Sequence, residues 1–262
     1  MPSPDAPRGL LIRTAGTNCH VELAHGLELA GARAEVVHVQ HLVDRPKEID
    51  DYDLIALPGG FSHGDDIASG RVFAVRLRAL WEPLRRAIDR GAPVLGVCNG
   101  FQVLVKLGLL PDPVAGVQST TLTHNTGGRF VDAWVGVEAP GETVCVWTRG
   151  LAGERFDLPI AHGEGRFVAA PDALARLEAQ GQAALRYALG QNPNGSAGDL
   201  AGVCDPTGRV FGLMPHPELY TDFTHHPSWT RQSAAERQAE PWGLRMLRAG
   251  VEAAAAKPVA AG

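Results

Sequence analysis

The apolar run at 94–97, Val-Leu-Gly-Val, passes directly into Cys98-Asn99-Gly100-Phe101-Gln102 and then into apolar residues at helical spacing, Leu104 and Leu107, before Gly108. Four apolar residues are too short for a buried helix and suit a strand covered on both faces, so the chain must change from strand to helix within one turn. Gly96 and Gly100 flank that turn as Gly-x-Cys-x-Gly, the pattern of a nucleophile elbow with cysteine in place of serine. Such an elbow implies a mainly parallel sheet joined by crossover helices, with Cys98 at its carboxyl edge.

The first 110 residues fit that α/β reading, with strand candidates at 9–13, 35–39, 53–57 and 94–97. Between the third and fourth, Phe73, Leu77, Leu80, Leu84 and Ile88 step by 4, 3, 4 and 4, which predicts a helix with one apolar face. Pro83 lies inside this run and lacks a backbone donor, so a kink or restart is expected near Trp81. After Pro111 the pattern changes to short β-rich pieces at 129–137, 143–148, 160–168 and 184–187, with a pair around the turn at 206–208. These either extend the sheet in antiparallel fashion or complete its parallel part. A closing helix is expected over 232–256 and a frayed tail at 257–262. The stretch 220–238, which includes His225, His226 and Trp229, shows no periodicity, and there is no internal repeat; 1–262 reads as a single domain.

Charge and cysteine usage narrow the function. With 24 Lys and Arg against 29 Asp and Glu, the formal balance of −5 argues against nucleic acid or an anionic membrane as the main partner and favours a small ligand. No window reaches the roughly 18 apolar residues of a membrane span. The N-terminal residues lack an apolar stretch behind a basic head, so a cytoplasmic location is expected. Cys19, Cys98, Cys145 and Cys204 have wide, unrelated spacings that match neither a disulfide framework nor a metal site.

An isolated cysteine is most often a small buried packing residue, and Cys19, Cys145 and Cys204 read that way. Cys98 differs through its flanking glycines and its place at a helix N-terminus, whose dipole favours a thiolate. The turn is expected to lift the sulfur clear of the sheet. A cysteine nucleophile needs an imidazole to move its proton. Among 10 histidines, His216 stands out because an apolar strand, 210–214, ends in Pro215-His216-Pro217-Glu218. Pro217 biases His216 towards extended backbone, where residues two apart share a face, so Glu218 can orient the ring. The alternative is a rigid proline turn with two solvated side chains. Asp53-Leu54-Ile55-Ala56-Leu57-Pro58-Gly59-Gly60 delivers a Gly-Gly loop to the same sheet edge, where its N–H groups and that of Asn99 could converge on an oxyanion. Phosphate cradling is the rival reading, but neither a Walker pattern nor Gly-x-Gly-x-x-Gly follows the strand.

Pro58-Gly59-Gly60, the 96–102 elbow and Pro215-His216-Pro217-Glu218, in this order and at these separations, resemble the class I (triad) glutamine amidotransferases. Further matches are Gly16-Thr17-Asn18-Cys19, Gly59 to Asp65, Asn125 to Trp134, Ile160 to Arg166 and Asn192-Pro193-Asn194-Gly195-Ser196. Together they resemble the glutaminase subunits of phosphoribosylformylglycinamidine synthases of purine biosynthesis, over about Leu10 to Glu218.

The resemblance implies a flavodoxin-like amidotransferase fold with an antiparallel β extension. It also implies hydrolysis of L-glutamine through a Cys98 thioester, with His216 as acid and base and Glu218 supporting it. Gly60 and Asn99 would donate to the oxyanion, and Gln102 and Gly59 would help seat the substrate. No cofactor or metal is implied in this chain; ATP and Mg would belong to a partner synthetase subunit, with a small accessory subunit as a further partner. His162, Glu164 and Arg166 belong to the signature without an assigned role. The chain departs from the family's usual pattern at His20 (commonly acidic), His63 (often Tyr) and Leu219 (commonly Arg), and it is longer than many members from Tyr220 onward. A stand-alone cysteine hydrolase acting on γ-glutamyl substrates, or a catalytically silent scaffold, would be the competing functions.

Overall fold

The computed structural model describes residues 3–113 and 116–256. The chain begins with strand β1 (Arg8–Arg13), helix α1 (His20–Leu29), strand β2 (Arg33–His38) and helix α2 (Val39–Asp44). Strand β3 (Leu54–Leu57) follows, then helices α3 (Arg71–Leu77) and α4 (Trp81–Asp89), strand β4 (Val94–Val97) and helix α5 (Asn99–Leu107). The second half contains β5 (Thr121–Thr123), β6 (Val131–Glu138), β7 (Arg155–His162), β8 (Arg166–Val168), α6 (Pro171–Ala179) and β9 (Ala183–Tyr187). It closes with β10 (Leu200–Cys204), β11 (Val210–Leu213), α7 (Ala234–Gln238) and α8 (Trp242–Ala255).

Nine strands form one sheet in the order β2-β1-β3-β4-β11-β10-β9-β6-β7, and β5 and β8 form a separate antiparallel pair. The run from β2 to β11 is parallel, whereas β11 to β7 pair antiparallel. The parallel strands β3, β4 and β11 are buried at every position because helices cover both faces, which explains their unbroken apolar sequence. The predicted parallel sheet and antiparallel extension are thus one continuous sheet, joined at β11–β10. No helix among the described residues is long and apolar enough to cross a membrane.

The predicted restart at Trp81 is observed: a short 3-10 turn at Arg78–Leu80 separates α3 from α4, and Pro83 falls in the first turn of α4, where its missing N–H leaves no bond unmade. Other expectations shift for identifiable reasons. Val39 opens α2 instead of ending β2, because the His38 ring accepts the Gln40 N–H at 3.2 Å and caps the helix. Residues 143–148 form no strand; the Val144 and Val146 N–H groups instead donate to the carbonyls of Gly181 and Gly208, so the buried donors are satisfied without a ladder. The expected strand at 160–168 divides at Gly163-Glu164-Gly165 between β7 and β8, which belong to different sheets.

The closing helix likewise divides. The Ser233–Glu236 capping box starts α7, and the extended backbone before Pro241 ends it before α8 begins. The stretch that lacked periodicity is folded into 3-10 turns at Phe223–His225 and Trp229–Arg231. It is pinned by Trp134, whose ring meets Tyr220 and His226 edge-on at 5.2 and 4.8 Å. The tail expected to fray, 257–262, lies outside the described residues.

Candidate active site

The ends of β3, β4 and β11 lie side by side, and each releases one of the predicted segments at the same edge. Leu57 pairs with Gly96, and Leu213 with Val97. Loops leaving the carboxyl ends of parallel strands form the usual ligand crevice of such sheets.

Cys98 has φ 49° and ψ −104°, a left-handed conformation rare for a side-chain-bearing residue, and its N–H donates to the Leu213 carbonyl at 2.7 Å. Strain of this kind costs about 1–3 kcal/mol and persists only when the surroundings enforce it. Here α5 enforces it: a Cβ on Gly100 would lie 1.9 Å from the Leu57 carbonyl oxygen, so only glycine lets the helix start this close to β3. Gly212 on β11 similarly leaves space for Phe101, because a Cβ there would come within 2.1 Å of its ring. The expected open sulfur is not observed. Cys98 is only 6% exposed, and its Sγ lies 3.8 Å from the Ala161 carbonyl oxygen because the end of β7 packs over the elbow.

His216 and Glu218 are also buried, and Nδ1 of His216 lies 2.7 Å from Oε1 of Glu218. The His216 N–H donates to the Pro159 carbonyl at 2.9 Å, which ties this segment to β7. Burial opposes protonation of the imidazole, but the negative charges of Glu218 and Cys98 and the proximity of the Cys19 and Cys98 sulfurs outweigh it. The ring therefore holds its proton well above the ordinary histidine range. Its Nε2 is buried without a hydrogen-bond partner among the described residues. That buried nitrogen is free to serve a reacting atom.

The Gly-Gly loop is fixed from two sides. Gly60 has φ 139° and bridges to Thr17, and a Cβ there would come 2.7 Å from both the Asn18 nitrogen and the Gly16 oxygen. A Cβ on Gly59 would lie 2.8 Å from Cε1 of His216, so the imidazole packs directly on the glycine backbone. Asn99, the first residue of α5, donates from Nδ2 to Asp65 at 3.1 Å and to Gln102 at 2.9 Å, while its Oδ1 accepts the Ser62 N–H at 3.4 Å. Its backbone N–H, in the first turn, has no intrahelical acceptor. The Gln102 carboxamide is buried between Asn99 and the Glu164 carbonyl, the latter at 2.7 Å.

The remaining signature residues build the wall that closes over Cys98. Asn125 donates to the carbonyls of His162 and Arg129, both at 2.9 Å, and its Oδ1 accepts the Gly165 N–H at 3.0 Å and faces the His162 ring at 3.2 Å. Asn194 reaches the Gly165 carbonyl at 2.9 Å and is braced by Ser196 at 2.7 Å. Burial, reinforced by the charge of His216, depresses the pKa of His162 to about 4, so its ring is neutral near neutral pH. Glu164 accepts the Ser69 N–H at 3.4 Å, which links the wall to the loop preceding α3.

One residue read as inert packing lies in the site. Cys19, at the N-terminus of α1, has its sulfur within 4.8 Å of both a His216 ring nitrogen and a Glu218 carboxylate oxygen. Such a spacing of donor atoms could hold a divalent cation, although the same imidazole is the group a reaction would need. The sequence signal was Gly16-Thr17-Asn18-Cys19 directly after a strand, opposite the Gly-Gly loop. The Thr17–Gly60 bridge, with the Asn18 and Cys19 N–H groups donating to the Gly59 carbonyl, shows that the two loops touch.

Residues 6–252 match the family model described as CobB/CobQ-like glutamine amidotransferase domain. The chain is 40% identical over 236 residues to the phosphoribosylformylglycinamidine synthase subunit PurQ of Dehalococcoides mccartyi, covering 87% of this chain and 91% of that protein. It is 45% identical over 199 residues to the subunit of the same name from Frankia casuarinae, covering 75% and 78%. A chain in the structure of PurLQS from Thermotoga maritima superposes with a TM-score of 0.73 at 30% identity, covering 94% of this chain and 98% of that one.

Proposed function

This chain belongs to the CobB/CobQ-like glutamine amidotransferase family, and on that premise we propose that it is the glutaminase subunit of a phosphoribosylformylglycinamidine synthase. The observation that carries the reading is the meeting of the Cys98 elbow with the His216–Glu218 pair at the ends of β4 and β11, in a chain 40% identical to PurQ over most of its length.

In this mechanism the Cys98 sulfur attacks the carboxamide carbon of L-glutamine. The oxygen that becomes negative is met by the N–H groups of Gly60 and Asn99, aimed in advance where charge develops. The raised pKa of His216 keeps a proton on the imidazole, which it passes to the leaving nitrogen, so ammonia departs and a glutamyl thioester remains. Neutral imidazole then takes a proton from water, hydroxide adds to the thioester, and glutamate leaves as the sulfur is restored. Glu218 fixes the ring tautomer and stabilises the imidazolium, while Gly59 sets the ring's position. Gln102 acts from the wall behind Asn99 in seating the substrate.

Ammonia passes to a synthetase subunit, assisted by a small accessory subunit, which uses ATP and Mg to convert formylglycinamide ribonucleotide into formylglycinamidine ribonucleotide. The reaction is placed in the cytoplasm, where the chain's four free thiols suit a reducing compartment.

The test combines labelling with turnover. A glutamine-derived electrophile should modify Cys98 and no other cysteine, and glutamine hydrolysis should rise when the synthetase of the same genome is added. Labelling elsewhere, or partner-independent hydrolysis of γ-glutamyl peptides, would replace this reading with that of a stand-alone hydrolase.

A further inference from the structure

Beside the closed site lies an open cleft of about 440 Å³ between α3 and the segment containing β5. Its floor includes Lys106, and its sides carry Arg71 and Arg78, against a single lining carboxylate, Glu164. Lys106 is on α5 and continues a polar face of that helix, Asn99, Gln102 and Lys106, at spacings of 3 and 4 residues. The first two of these residues brace the elbow and the wall over Cys98.

The Lys106 ammonium is unusual. Its Nζ is buried and has no hydrogen-bond partner among the described residues. An unpaired buried ammonium is costly, and burial accordingly pulls its pKa down, although the nearby carboxylates of Glu164 and Asp65 partly offset this. Among the described residues neither Arg71 nor Arg78 makes an ion pair, and the Arg78 guanidinium lies 5.9 Å from the centre of the Trp81 ring. The cleft therefore presents two arginines outside any ion pair among the described residues and a buried ammonium that Glu164 and Asp65 only partly compensate.

Its rim is apolar and exposed. Ile67 is 82% and Val75 67% exposed, and Ile67 is held at φ 72°, a strained backbone for a β-branched residue. Exposed branched apolar side chains around unpaired cations suit a protein surface better than a free anion.

We infer that this cleft docks the synthetase subunit, which inserts an acidic side chain between Arg71 and Arg78 towards Lys106 and covers Ile67 and Val75. The inference rests on the proposed function and deepens it. The docked carboxylate would sit on the same helix face as the residues that hold the elbow, giving partner binding a direct route to the glutaminase centre.

The experiment measures the affinity of the purified chain for its cognate synthetase by sedimentation, alongside thermal midpoints. The combined Arg71→Glu and Arg78→Glu variant should bind about tenfold more weakly or worse, with an unchanged midpoint, while Lys47→Glu on the remote 46–51 turn should bind as wild type does. Lys106→Met keeps the apolar stem and removes the buried charge, so it should weaken the complex while being at least as stable as wild type. A residue needed only for folding would lose stability instead. Unchanged affinity in both altered forms, with wild type still binding, overturns the inference and leaves the proposed function standing. Failure of wild type to bind any synthetase defeats the proposed function itself. Stabilisation of wild type, but not of the variants, by inorganic phosphate, with unaltered partner affinity, would identify a free-anion site and also overturn it.

Discussion

Nδ1 of His216 and Oε1 of Glu218 lie 2.7 Å apart in a buried segment that leaves β11, so the imidazole carries its carboxylate partner on the same short stretch of chain. The pair sits where the thiol elbow of β4 ends, and the properties of the site follow from that adjacency.

Glu218→Gln keeps the shape of the side chain and removes the charge that holds the His216 pKa above its ordinary value. On the proposed mechanism the imidazolium donates the proton that ammonia carries away and is lost as pH rises through its folded pKa, so the alkaline limb of kcat/KM should move to lower pH. Turnover at the optimum should fall by about 10²–10⁴-fold. The same charge contributes stability that is fully present below the unfolded histidine pKa and lost as pH rises through the raised folded value. The stability deficit of the variant, read by urea unfolding, should therefore shrink on the alkaline side. A pH profile with an unmoved alkaline limb would remove Glu218 from this role.

Gly59→Ala tests the packing of the base. Its Cβ would lie 2.8 Å from Cε1 of His216 and 3.4 Å from the Cys19 sulfur, so the imidazole must shift. A displacement near 1 Å costs on the order of 10²-fold in rate, and we expect that loss in kcat with little change in the unfolding midpoint. Wild-type turnover in this variant would show that the ring position is not critical.

Cys98→Ala should abolish glutamine hydrolysis and electrophile labelling but keep the strained backbone at φ 49°. Cys98→Gly should be equally inactive yet more stable than the alanine variant by about 1 kcal/mol, because glycine tolerates this region. Chemical denaturation of the two inactive proteins compares them without interference from catalysis. Equal stabilities would mean that the elbow stores no backbone strain.

His162 supplies an opposite pH dependence. Its folded pKa of about 4 lies below the ordinary histidine value of 6.5, so the unfolded chain binds the extra proton between these limits. Its contribution to stability is complete above about pH 6.5 and is lost as pH falls towards about 4, with a span of roughly 3 kcal/mol. His162→Gln should flatten the acid side of the stability curve in that window. A curve as steep as that of wild type would assign the acid sensitivity to other groups.

The parallel half of the sheet, the helix restart at Trp81 and the elbow at Cys98 were legible in the sequence because each is enforced locally, by an apolar run too short for a helix, a proline without an N–H, and paired glycines. The His216–Glu218 pairing was also foreseen, but for a different reason: Pro217–Leu219 forms a 3-10 turn where extended chain was expected, and that turn, not a shared strand face, brings the carboxylate to the ring. Residues 143–148 and 160–168 misled because their backbone donors find partners far away, in turns and in a second sheet, which periodicity does not record.

The sequence by itself determined which side chains could do the chemistry. Tertiary structure decided how they are kept. It placed Cys19 beside the His216 ring through contacts between two loops, buried the Cys98 sulfur beneath the end of β7, and left the Lys106 ammonium without a hydrogen-bond partner among the described residues. Burial and charge coupling depend on what the rest of the chain brings alongside a residue, and contacts between distant segments are fixed only when the sheet is assembled.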